Sequence, residues 1–242
     1  HRVFCASLSD VFEDWDGKII NTDGKTMLCS YGDGGKHWVY EGQSKYPGGY
    51  DWCDLNMQDV RRRLFKLIDS TPHLDWLLLT KRPENISKMW DSSKYRSNVW
   101  LGTSVENQKY ADIRIPQLLE NKKLASILFL SCEPLLGPVD LKPFLNNKFD
   151  KNVNWVICGG ESGPEARPMH PQWARTIRDD CKSANVAFHF KQWGEFGPEE
   201  TALSKQIDNA TYHVCENGEK LYRVGRKQAG RILDGNIHDD IP

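Results

Sequence analysis

Six short apolar runs punctuate the chain, and each gives way to a polar cluster. They are VFCASLSD (3–10), DWLLLTKRP (75–83), NVWLGTSVEN (98–107), SILFLSCEP (126–134), NWVICGGESG (154–163) and VAFHFKQWGE (186–195). Each has the length of a strand, and several are almost continuously apolar, the pattern of parallel strands covered on both faces. Helical periodicity fills some of the intervals. In NMQDVRRRLFKLIDS the spacing places Val60, Leu64, Leu67 and Ile68 on one face. In HPQWARTIRDDCKSAN it does the same for Trp173, Ile177, Cys181 and Ala184, with Pro171 suited to the first turn. Residues 108–120 also read as helix, with a break or restart expected at Pro116. Only short helices fit after Pro83 and between Pro134 and Val153.

Strand and helix in alternation predict an α/β fold. The polar ends choose among α/β folds. Asp10, Lys81 with Arg82, Glu106, Glu133, Glu161, and Lys191 with Gln192 each follow directly on an apolar run. In a (β/α) barrel that edge of the sheet carries the site, built from several strands, whereas a doubly wound sheet concentrates such residues at one switch point. The prediction is therefore a partial or irregular (β/α) TIM-like barrel spanning residues 1–242 as one domain. The plainer reading is that these residues are ordinary polar loop starts. Two segments depart from the repeat. Residues 16–55 are rich in Gly, Tyr and Trp and read as a hairpin-type insertion, either a lid over the site face or a surface loop. Residues 197–242 read as a C-terminal tail with a hairpin at Asn217-Gly218 and a short helix in KQAGRILDG stopped by Gly235. His1 and Arg2 lead straight into a strand-like run, so an N-terminal piece is expected beyond this sequence.

Composition narrows the class. The 242 residues are 39% apolar and 27% charged, with a net charge of −1, as in an ordinary soluble domain. Such a balance does not imply a broad nucleic-acid surface, although it permits a local basic groove. No apolar run approaches the roughly 20 residues that span a bilayer, and no signal peptide is visible, so no membrane partner is expected. The seven cysteines are odd in number, widely spaced and without a C-x-x-C pair. They read as buried, reduced thiols of a cytoplasmic protein, with Cys29 and Cys53 closer to the surface, and they signal no metal site. The pattern sets no oligomeric state.

The strand ends supply the candidate chemistry. Pro134 biases Glu133 to an extended backbone, so that its carboxylate projects at the barrel mouth, and Glu106 is placed alike after Ser104 and Val105. Glu133, Glu106 and Lys81 are the candidate catalytic residues. Gly159, Gly160, Glu161, Ser162, Lys191 and Gln192 are the candidate cofactor-binding residues, since glycine lets a ligand approach the backbone and a carboxylate pairs with an ammonium. A ring of acids and bases suits a zwitterion such as an aminoacyl group, or a nucleotide; it also suits a structural ion-pair network. The Gly-rich loop has two further readings, a phosphate cradle, which the Glu161 charge opposes, and a tight turn with a solvated glutamate. His170 reads as a residue entering a helix, His189 as a satisfied core histidine.

In order along the chain, RVFCASLSDVF, LDWLLLTKRPENI, NVWLGTSVENQKYADIRIP, LSCEPLLGPVDL, WVICGGESGPEARPMHP, FKQWGE and RVGRKQAGRILDG resemble the phage gp thirty-seven/sixty-eight family, a phage and bacterial family of unknown function. Its members resemble radical S-adenosylmethionine enzymes. The resemblance implies S-adenosylmethionine and a [4Fe–4S] cluster in the full-length protein. The cluster would be held by closely spaced N-terminal cysteines ending in Cys-x-x-Cys-Tyr, a segment this sequence does not contain, so no cluster ligand carries over to its cysteines. Gly159, Gly160 and Glu161 match the chemistry of the glycine-glycine-glutamate motif that holds the methionine amine in that superfamily, although here they stand late in the strand order. Three classes follow. The chain is part of a radical S-adenosylmethionine-like enzyme acting on a nucleotide, nucleic acid or protein, or a cluster-free barrel enzyme or phosphate binder, or a non-catalytic phage accessory protein.

Overall fold

The computed structural model describes residues 1–5, 10–19, 27–32, 35–40, 52–91, 94–145, 153–201, 207 and 210–242, with the backbone alone for residues 4–5, 27–32, 35–40 and 52–54. In chain order the described elements are β1 (Arg2–Cys5), β2 (Met27–Gly32), β3 (Gly35–Tyr40), β4 (Trp52–Asp54), α1 (Met57–Ser70), β5 (Asp75–Thr80), α2 (Ile86–Met89), β6 (Arg96–Ser104) and α3 (Gln108–Leu119). They continue with β7 (Ala125–Cys132), α4 (Lys142–Leu145), β8 (Trp155–Gly159), α5 (Pro171–Ala184), β9 (Ala187–Gln192), β10 (Phe196–Pro198), β11 (Tyr212–Val214), β12 (Lys220–Arg223) and a last short helix, α6 (Arg226–Ala229).

The six predicted strands form one sheet in the order β1-β5-β6-β7-β8-β9, and every neighbouring pair is parallel. Spatial order follows chain order, so the sheet has no switch point. It curls into a half-barrel flanked by helices. One row of the ladder shows the register: Leu79, Gly102, Phe129, Trp155 and Ala187 lie side by side across five strands.

Side-chain alternation gives this sheet two apolar faces. The concave face carries Leu77, Trp100, Phe129, Trp155 and Ile157, with Trp100 and Trp155 edge to face at 5.8 Å. Gly102 belongs to this face, and a Cβ there would lie 2.3 Å from the Phe129 ring. The convex face, with Leu78, Leu101, Leu130, Val156 and Phe190, packs against Ile115 and Leu118 of α3 and Ile177 and Cys181 of α5. A buried side chain of this size is worth about 1.5–3 kcal/mol, and these two layers hold the strands in register.

Several details differ from expectation. α3 runs unbroken through Pro116. Pro116 and Asp112 both lie on the exposed side, so the carbonyl that loses its helical donor faces water. α1 buries Phe65 and Ile68, while Leu67 is 48% exposed. Its inward face is set by the edge-to-face contact of Phe65 with Trp90 at 5.0 Å. The tail helix is Arg226–Ala229 and stops at Gly230, whose φ of 68° ends it well before Gly235. The hairpin at Asn217-Gly218 joins β11 to β12, and β10 completes a small antiparallel sheet in the order β10-β12-β11. β2, β3 and β4 form a second one within residues 16–55. The end of the chain adds to the free edge of β9, where Phe190 N–H donates to the His238 carbonyl at 3.0 Å and Asp240 N–H to the Phe188 carbonyl at 3.2 Å. Cys132, Cys158, Cys181 and Cys215 are buried free thiols; the side chains of Cys5, Cys29 and Cys53 lie outside the described residues. Among the described residues no helix is long and apolar enough to cross a membrane.

Candidate active site at the strand ends

Six parallel strands necessarily end on one rim, and three polar groups stand there. The first is built on β5 and β6. Asp10, reached from β1, accepts the Thr80 hydroxyl at 2.6 Å and the Lys81 N–H at 2.8 Å, which fixes the backbone that carries Lys81. The Lys81 ammonium then reaches Oε1 of Glu106 at 2.8 Å, and Arg114 of α3 reaches Oε2 at 2.7 Å. Burial pushes the Glu106 carboxyl up, but Lys81 and Arg114 outweigh it and hold the group below the ordinary 4.5. Glu106 is thus a fixed anion with both oxygens occupied.

The second group is opposite in character. Glu133 ends β7 and lies over the end of β8, in the space that Gly159 leaves; a Cβ on Gly159 would be 2.3 Å from its Oε1. Lys191 of β9 donates to Oε2 at 3.1 Å. Burial raises the Glu133 carboxyl above 4.5, and the opposing pulls of Lys191 and Ser131 do not cancel it. The Glu133 side chain is 15% exposed and Lys191 54%, so the lysine can leave the pair while the carboxyl stays.

The third group is the loop after β8. Glu161 is clasped by Arg167 through two guanidinium contacts at 2.7 and 2.8 Å and the Arg167 N–H at 2.9 Å, which lowers its pKa. Ser162 accepts from Gln192 at 3.1 Å. Gly160 fits where a Cβ would be 1.9 Å from the Trp193 carbonyl oxygen, and its N–H donates to the Gln192 carbonyl at 2.9 Å. Glu195 N–H donates to the Glu161 carbonyl at 2.9 Å, and Gly163 N–H to the Glu195 carboxylate at 3.1 Å. The loops after β8 and β9 are therefore zipped together.

The structure joins Lys81 with Glu106, Glu133 with Gly159 and Lys191, and Ser162 with Gln192. Glu161 touches none of the other candidates and is held by Arg167. Thr80, Arg114 and Arg167 were not read from the sequence; the signal for Arg167 is a lone cation six residues beyond Glu161, whereas Arg114 shares the stretch after Glu106 with Lys109. His170 caps α5, accepting the Gln172 N–H at 3.1 Å. His189 is not a hydrogen-bonded core histidine: it is partly exposed and faces Trp155 at 5.9 Å, and its buried Nδ1 makes no hydrogen bond but lies 3.5 Å from the Asp239 carboxylate.

A groove of about 1090 Å³ lies at the opposite rim, lined by Lys182 and Asn185 at the end of α5 and by His238 and Asp240. Arg178, which also lines it, is committed to Asp179 and Asp234. The candidate site is placed at the carboxyl rim because five strands end there on paired ionisable groups, Lys81, Glu106, Glu133, Glu161 and Lys191, whereas the buried Arg96 pairs with Asp69 and Asp91 at the start of β6. Among the described residues no group of three His, Cys, Asp or Glu side chains stands ready for a metal ion. Burial pushes the Cys132 and Cys158 thiols well above their ordinary range and Cys181 up to about 12, so these thiols are inert at neutral pH.

Glu133 gives a stability signature. As pH rises past 4.5 the unfolded chain releases this proton first and the folded chain keeps it. Stability falls with rising pH through that window, until the folded carboxyl ionises. Glu133→Gln removes this falling limb. The melting temperature of the variant relative to the parent should therefore rise as pH rises above the ordinary carboxylate value; a pH-independent difference would contradict the buried, proton-holding carboxyl.

The family model described as Protein of unknown function (DUF5131) matches residues 51–242. No curated protein and no solved structure matches the chain.

Proposed function

Because the chain belongs to the DUF5131 family, whose function is unknown, its activity has to be read from its own rim, and we propose that this rim binds S-adenosylmethionine as part of a radical S-adenosylmethionine-like enzyme. The seven sequence blocks that resemble the phage gp thirty-seven/sixty-eight family suggest the ligand. The Glu133–Lys191 pair carries the proposal. The methionyl end of the ligand is a zwitterion, and this pair offers it one acid and one base 3.1 Å apart over a bare glycine backbone. Its ammonium takes the place of Lys191 at Glu133, and its carboxylate pairs with the displaced, half-exposed Lys191. An ammonium at Glu133 favours the ionised carboxylate, so binding releases a proton where Glu133 was still protonated. Ser162 and Gln192 remain to donate to and accept from ribose hydroxyls. The described residues do not fit an iron–sulfur cluster, since their four cysteines are buried and form no ligand set. The role of these residues is to bind and orient the ligand.

A phosphate cradle in the same loop is disfavoured by hydrogen bonding. The N–H groups of Gly160 and Gly163 are already donated to Gln192 and Glu195, and Glu161 places a negative charge beside them.

Titration calorimetry of the 242-residue chain with S-adenosylmethionine tests the proposal. The parent should bind, and Glu133→Gln and Lys191→Met should each weaken binding about tenfold or more, a loss of about 1.4 kcal/mol, at a pH where both variants remain folded. A parent that does not bind, or two variants that bind as the parent does, would overturn it.

A further inference from the structure

The stretch from Lys220 to Arg231, KLYRVGRKQAGR, contains five cations and no acid, in a chain whose net charge is −1. The fold sets this run against the rim. Both ends of α6 are tied to the loop that follows β9: Gly225 N–H donates to the Glu195 carbonyl at 3.1 Å, and Trp193 N–H to the Gly230 carbonyl at 3.1 Å. That loop is in turn zipped to Glu161 and Gly163. Arg223 of β12 reaches across to the carbonyl oxygens of Gly163 and Pro164. The basic run therefore borders the loop that carries the candidate site.

Neutralisation separates three of these cations from the others, since Arg231 is paired with Asp239 and Lys220 lies over Tyr212. Lys81, Arg114, Arg167 and Lys191 each have a carboxylate partner. Arg223 is exposed and spends its guanidinium on neutral carbonyls. Arg226 and Lys227 are exposed, and among the described residues neither has an ion-pair or hydrogen-bond partner. On the sheet face that α6 also covers, β11 presents an aromatic side chain, whereas Arg223 projects from the other face. Tyr212 is 53% exposed, its ring 5.7 Å from that of Tyr222 and covered by the Lys220 ammonium at 4.7 Å.

We propose that β11, β12 and α6 form a docking platform for a single-stranded nucleic acid, with phosphates on Arg226 and Lys227 and a base stacked on Tyr212. Unneutralised cations recognise the phosphodiester chain, and an exposed aromatic ring recognises the face of an unstacked base, which a duplex would keep covered. The platform leads the strand to the Glu161 loop. This names the substrate class of the proposed enzyme, and it rests on that reading only for the claim that the strand reacts there.

Fluorescence anisotropy with a labelled single-stranded oligonucleotide of about 20 nucleotides, in about 50–200 mM salt, is the test. The probes are this strand, the same sequence as a duplex, and heparin, which has charge but no bases. The parent should prefer the single strand. The double variant Arg226→Ala/Lys227→Ala should bind it about tenfold less tightly at low salt and lower the slope of log K against log salt by about 1.4, two contacts at about 0.7 each. Tyr212→Ala should weaken the oligonucleotide at least about fivefold and leave heparin unchanged. These side chains are exposed, so thermal melts of the variants should match the parent. Absence of oligonucleotide binding at about 50 mM salt, indifference to the double variant, tighter binding of duplex, or no effect of Tyr212→Ala would each overturn the platform. S-adenosylmethionine titration of the same proteins separates the two claims. Oligonucleotide binding without S-adenosylmethionine binding defeats the rim proposal alone, and the reverse defeats the platform alone.

Discussion

Glu106→Ala should destabilise the fold by about 3–5 kcal/mol in urea unfolding, the usual cost of breaking a buried ion pair from one side. Glu106 is 6% exposed and Arg114 only 12% at its side chain. Arg114 is also held in place, donating to the Ser104 carbonyl at 2.9 Å and lying over the Tyr110 ring at 4.0 Å. It cannot follow its lost partner into water without breaking these contacts, so the variant leaves a guanidinium poorly compensated between α3 and the sheet. Lys81, whose side chain is 58% exposed, returns to solvent at little cost. The pH dependence has the sign opposite to that of Glu133. Because Glu106 is held below 4.5 when folded, its contribution is present above that value and is lost as pH falls through the depressed pKa. The acid limb of the stability profile should be shallower in the variant. A cost below about 1 kcal/mol would place the pair among surface ion pairs and remove the fixed anion from the description of the rim.

Gly160→Ala is expected to disturb both fold and binding. The new Cβ would stand 1.9 Å from the Trp193 carbonyl oxygen and 2.7 Å from its carbon, both backbone atoms that no rotamer change can move. The loops after β8 and β9 must part, and the hydrogen bond from Gly160 N–H to the Gln192 carbonyl goes with them. Overpacking of this kind costs about 1–3 kcal/mol or more. Gln192 and Ser162 shift with their loops, so S-adenosylmethionine binding should weaken beyond what the stability loss explains. Gly137→Ala is the control, since its nearest neighbour would be Asn107 Cβ at an ordinary 3.5 Å. It should stay within about 0.5 kcal/mol of the parent. Equal effects at Gly160 and Gly137 would show that the loops have room to spare.

The strands were legible because each is an almost unbroken apolar run, and the shared rim because each run ends on a charge. Which charges meet was not. Lys81 and Glu106 become partners only because β5 and β6 are neighbours with Thr80 beside Thr103. Arg114 joins them because α3 folds back over its own strand, and local sequence gives no reason to prefer it over Lys109. The face of α1 was misread because Phe65 and Leu67 are both apolar, and only the tertiary contact with Trp90 selects Phe65. Glycine signals room without saying for what: the space at Gly159 takes the Glu133 carboxyl, and that at Gly160 takes the Trp193 carbonyl. The strand context of His189 predicts a satisfied core histidine, yet its ring faces Trp155 and its buried Nδ1 makes no hydrogen bond, with Asp239 3.5 Å away, a placement set by tertiary packing.

A crystal structure of the chain grown with S-adenosylmethionine examines the rim most directly. The expected result is the methionyl ammonium within hydrogen-bond distance of Glu133, the carboxylate at Lys191, and the 3.1 Å Glu133–Lys191 contact opened. Ligand seated instead in the groove beside Lys182, Asn185 and His238, or a rim left unchanged at saturating ligand with that contact intact, would contradict a binding site at the strand ends.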